Sequence, residues 1–144
     1  MRYQEKTEIK FESIIAGFLI FVLTFIVGAG FIAWEAVIKA GNESNAVQII
    51  SSYRIKQNKY SSEHRGEFAL TFAELDGFEE LKGENFIKDG YVFTINVINS
   101  DGKKPAFYSV NADPQTRYVL FSTGDRHFYY DSTLGTIKST EENR

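Results

Sequence analysis

From Ser13 to Trp34 the chain carries no charged side chain. The run reads SIIAGFLIFVLTFIVGAGFIAW and is 22 residues long. As a helix rising about 1.5 Å per residue it reaches roughly 33 Å, against a bilayer hydrocarbon core of about 30 Å. A helix in a water-soluble core normally keeps a polar stripe, and this run has none. Thr24 is its one strongly polar side chain at mid-span, where a hydroxyl can bond back to the preceding turn. The segment therefore reads as a transmembrane helix over residues 13–38. Its apolar stretch exceeds the roughly 7–15 residues of a signal-peptide core, and Glu35 to Lys39 continue as good helix, so the anchor is expected to stay. Trp34 falls at the outer interface, where an indole ring is favoured.

The charges flanking the run set an orientation. Arg2, Lys6 and Lys10 lie in a short tail, residues 1–12, before the span, and only Lys39 follows closely. Carboxylates weigh little in this balance, so the tail is expected in the cytoplasm and residues 40–144 outside it. Ala29, Ala33, Ala36 and Ala40 recur at helical spacing and form a stripe along which another helix could approach closely in lipid.

The part of the chain beyond the span is short. The whole chain has 144 residues, which leaves room for one small domain after the anchor. Its net charge of −3 does not suit a dedicated nucleic-acid binder, and the absence of cysteine excludes disulfides, zinc ribbons and thiol chemistry. The two histidines, His64 and His127, are too far apart in sequence for a ligand pair at metal spacing.

Residues 39–62 read as an amphipathic continuation of the span. Ala46, Val47, Ile49, Ile50, Tyr53 and Tyr60 fall mostly on one side, with Arg54, Lys56 and Lys59 on the other. Gly41 costs only about 1 kcal/mol inside a helix, so one long helix from about residue 12 to 61 is expected, with a kink possible at Gly41. Thr71 to Glu74 has capping-box form and predicts a short helix near 72–76. The stretch Glu63–Asp89 carries eight acids against three bases and reads as a solvated loop. Phe68, Phe72, Leu75, Phe78, Leu81 and Phe86 would pack beneath it. Tyr91–Ile98 alternates in β-branched and aromatic residues and is the strongest strand signal, with Phe93, Ile95 and Val97 on one face. Turn chemistry at Asp101-Gly102 leads to a second strand, Ala106–Val110, that ends before Pro114. A further strand is expected over Tyr118–Ser122, and a closing hairpin from His127–Asp131 and Thr136–Lys138. Residues 63–138 thus form the loop and sheet, and residues 139–144 a frayed tail. The fold class is α+β: a long N-terminal helix, transmembrane then amphipathic, packed on a small antiparallel sheet.

The order of these parts resembles the type IV pilins and type II secretion pseudopilins. The resemblance is carried by Asn45-Ala-Val-Gln-Ile-Ile-Ser-Ser-Tyr53 leading to Asn58-Lys-Tyr60, by Gly90-Tyr-Val-Phe93, and by Arg126-His-Phe-Tyr-Tyr-Asp-Ser-Thr-Leu-Gly-Thr-Ile137. It covers most of residues 13–138. One family feature is not matched: Lys10-Phe11-Glu12 precedes the run where a prepilin peptidase would require glycine before phenylalanine. Gly30-Phe31-Ile-Ala-Trp-Glu35 has the right spacing at the wrong end, where a cut would discard the membrane helix. The resemblance implies a non-enzymatic, membrane-anchored structural or scaffolding protein of the bacterial inner membrane with a periplasmic head. The alternative is a single-pass accessory subunit of a larger membrane complex.

The rest of the chemistry is sparse. No nucleophile elbow, phosphate loop or metal motif is present, so no catalytic residue, cofactor, metal or small-molecule substrate is assigned. The resemblance makes a Ca²⁺ site conceivable around Asn111, Asp113, Asp125 and Asp131, although Asp and Asn also serve turns. His127 reads as a sheet-surface residue. Asn42-Glu-Ser44 fits a glycosylation sequon and reads as chance. The aromatic crowd Tyr108, Tyr118, Phe121, Phe128, Tyr129 and Tyr130 could form an interface, with about half of it serving as core. The expected partners are the membrane and either further copies of the chain or other membrane subunits.

Overall fold

The computed structural model describes residues 2–78, 85–116 and 122–141, except the side chains of residues 2–10, 12 and 141. The expected strand over Tyr118–Ser122 and the packing of Leu81 therefore lie wholly or largely outside the described residues. Helix α1 runs Arg2–Glu63 with no break at Gly41. The chain forms two compact units, Met1–Val37 and Ile38–Arg144.

The first unit is helix alone. Its large apolar side chains from Phe11 to Val37 are exposed, except Val22, which is partly covered. The Thr24 hydroxyl donates to Ile20 O at 2.8 Å, so the one mid-span polar group is satisfied inside the helix.

The second unit is a head built by laying the end of α1 across a sheet. Ala46, Ile50, Tyr53 and Gln57 are buried at steps of four, three and four residues, which confines burial to a single stripe of the helix. After Glu63 the helix is stopped by Arg65, whose φ is 57°, and Gly66, whose N–H reaches back to Ser61 O at 2.9 Å. That six-to-one closure and the left-handed residue before it make a Schellman-type stop. A 3₁₀ turn over Phe72–Glu74 follows, shorter than the helix expected there. Its capping residues bond side chain to side chain: Thr71 Oγ1 donates to Glu74 Oε1 at 3.0 Å, while Glu74 Oε2 accepts the Leu70 N–H at 3.2 Å.

Five strands form one antiparallel meander in the order β1-β2-β3-β4-β5. They are β1 (Asn85–Lys88), β2 (Tyr91–Ile98), β3 (Phe107–Pro114), β4 (Arg126–Asp131) and β5 (Lys138–Glu141). Two differ from expectation in kind. Asn85–Lys88, expected in the acidic loop, is a strand, because Asp89 (φ 48°) and Gly90 (φ 74°) turn the chain in two left-handed residues and pair Lys88 with Tyr91. Residues 139–141, expected to fray, are held in β5 by pairing with Arg126–Phe128. Strand β3 also runs on through Pro114, four residues past its expected end at Val110. Proline is tolerated there because it takes the last position of the strand, opposite Tyr91.

The alternation in β2 places Phe93 and Ile95 on the helix side with Val97 half-buried beside them, as expected, and adds Tyr91 to that face. Register carries the same face across the sheet through Ala112, Val110, Phe128 and Tyr130. Phe86 stacks on Phe93 opposite it at 4.6 Å and meets Phe72 edge-on at 4.5 Å; Tyr53 meets Tyr108 edge-on at 5.7 Å. Aromatic pairs of this kind add about 0.5–1.5 kcal/mol each beyond the area they bury. This α+β layout, a long N-terminal helix packed on a small antiparallel sheet, is the pilin-like arrangement expected.

Candidate functional site

Three regions of the molecule bear on function. The first is the apolar sleeve of α1. The helix over Ser13–Glu63 contains a window long and apolar enough to cross a membrane, and none of that window is buried within the protein. A core helix of equal hydropathy would be covered by its own fold. Ala29, Ala33, Ala36 and Ala40 are exposed along it, so the stripe is open to a neighbour.

The second region is the join between α1 and the sheet. Lys39 Nζ sits 3.2 Å from Asp125 Oδ1. One turn on, Asn42 Nδ2 donates to Thr123 O at 2.8 Å, and Glu43 accepts the Asp125 N–H at 3.0 Å while lying 3.8 Å from the Arg126 guanidinium. Tyr91 completes the bracket by donating to Arg126 O at 2.9 Å. Burial, followed by the carboxylates of Glu43 and Asp125, holds the Tyr91 phenol well above its ordinary range. Gly124 lets the ring in, since a Cβ there would collide with the Tyr91 hydroxyl. The Asn42 amide is thus engaged inside this bracket.

The third region is the aromatic set expected to form an interface. Three of its members, half of the set, serve as core and are removed from the candidate surface. Tyr108, Phe128 and Tyr130 are buried core residues, facing α1 because each lies on the inward side of its strand. Burial pushes the Tyr108 phenol far up. Its hydroxyl lies beside Tyr130 but closes no well-formed hydrogen bond. Tyr129 is half-exposed on the opposite face and donates to Asp131 Oδ2 at 2.9 Å. Tyr118 and Phe121 lie outside the described residues.

The oxygens that could have met an ion are mostly committed. Asp131 Oδ1 accepts the Thr133 hydroxyl at 2.6 Å, the Thr133 N–H at 2.8 Å and the Leu134 N–H at 2.9 Å. The Thr133 hydroxyl leads these donors in holding the Asp131 carboxyl below the usual carboxylate range. Asp125 faces Lys39, and Asp113 Oδ1 is 2.6 Å from His127 Nδ1 on the sheet's outer surface, where His127 is expected. Among the described residues no group of three or more acidic or histidine side chains converges on a point. Asp113, Asp125 and Asp131 are therefore in separate places, each serving a turn or a pairing.

One buried polar residue gives only a faint signal in the sequence. Gln57 is fully buried and clips the chain after α1: its Oε1 accepts the Ala69 N–H at 2.9 Å, and its Nε2 donates to Ala69 O at 2.9 Å and to Tyr53 Oη at 2.7 Å. The signal is its place on the Ala46–Ile50–Tyr53 stripe, where an amide must find partners. Lys59 meets Asp76 at 2.9 Å, so one basic residue of the helix does pair with the acidic stretch in the same chain. Comparison with family models, with curated proteins and with solved structures gives no match for this chain.

Proposed function

We propose that this is a non-enzymatic, membrane-anchored structural or scaffolding protein of pilin-like type. In this reading the helix over 13–38 crosses the bacterial inner membrane once, the N-terminus is cytoplasmic and the head is periplasmic. The anchor associates laterally through Ala29, Ala33, Ala36 and Ala40 with further copies or with other membrane subunits. The observation that carries it is the contrast between an apolar sleeve with nothing covering it and a head whose aromatic core is already closed. A sleeve of this kind is stable only in lipid or against other helices. Interactions between membrane helices are close-packing contacts, which suits small residues on one stripe.

Because the chain has no cysteine, a single Ala33→Cys variant gives a clean test in native membranes. Disulfide-linked dimers, absent for Phe31→Cys on the opposite face at similar depth, are the expected result. Dimers from neither variant, with a second protein retained at fixed stoichiometry after mild solubilisation, would favour the accessory-subunit reading. Recovery of the full chain as a detergent-free soluble monomer would overturn both readings.

A further inference from the structure

We draw no further inference here: the strongest candidate, the half-exposed row of Thr94, Asn111 and Tyr129 across the outward face of the sheet, carries nothing because nothing in the structure shows what covers it.

Discussion

Residues 13–37 and 45–63 of α1 share one secondary structure and differ in what surrounds them. Leu23 in the first and Ile55 in the second are almost equally exposed, 64% and 63%. Leu23, however, is one of an unbroken sleeve of exposed apolar side chains. Ile55 stands between Arg54 and Lys56 on the polar side of a helix that buries its other stripe. A single exposed isoleucine is ordinary on a protein surface, whereas a whole turn-after-turn sleeve is not. Exposure of one residue says little, then, and the neighbours around the helix circumference decide what the exposure means.

The largest expected effect breaks this comparison directly. Leu23→Lys should cost insertion about 2.5–3.5 kcal/mol, a shift of roughly a hundredfold in the inserted fraction, whereas Ile55→Lys should leave both insertion and stability within about 0.5 kcal/mol. Alkaline extraction of membranes reads the first, and thermal unfolding in detergent reads the second. Equal responses would mean that the two halves of the helix share a solvent after all.

A second test concerns the buried stripe that only the latter half possesses. Gln57→Ala strands the Ala69 N–H and carbonyl together and should destabilise the head by about 3 kcal/mol, while Gln48→Ala on the exposed side should change little. Denaturant midpoints compare the two. Gly124→Ala, which drives a methyl group into the Tyr91 phenol, should cost about 2 kcal/mol by overpacking. Adding Tyr91→Phe should relieve part of that loss, a coupling that a double-mutant cycle measures.

Acid should weaken the head and spare the sleeve, which has no titratable group from Ser13 to Trp34. The Asp131 carboxyl is held below its ordinary value by Thr133, so its contribution is complete above about pH 4 and is lost as pH falls through the lowered folded value. The stability gap between wild type and Asp131→Asn should accordingly narrow below that pH, with the helical content of residues 13–37 unchanged. The smallest effect falls between the two halves. Gly41 is exposed, helical and without close neighbours around its Cα, so Gly41→Ala should stabilise by about 0.5–1 kcal/mol.

The helix, its apolar half and the buried face of β2 are all legible in the sequence because each repeats a pattern over many residues, at 3.6 or at 2. Short elements are not. β1 has four residues, only Phe86 among them buried, and the surrounding acids mask it. Asp89-Gly90 nonetheless marks a two-residue hairpin turn, a stronger local signal than the charge of the loop around it. β5 is equally short, and what holds it is register with β4, a contact no local pattern reports. Which half of the aromatic set is core is hidden for a related reason. Tyr108, Phe128 and Tyr130 are chemically the same as surface aromatics, and strand parity alone sends them inward. The bracket from Lys39–Glu43 to Thr123–Arg126 joins residues more than eighty apart in sequence, out of reach of any spacing argument.

That bracket has a mechanical consequence. Tension drawn along α1 from its N-terminal side reaches the head first at Lys39, Asn42 and Glu43. These residues are tied to the segment that opens β4 by an ion pair, a hydrogen bond from the Asn42 amide to Thr123 O, and the Asp125 N–H donated to Glu43. Load therefore enters the sheet through several bonds strained side by side, before the helix can be peeled from the aromatic core. A head fastened in this way should resist being peeled from its helix better than the modest size of its core would suggest.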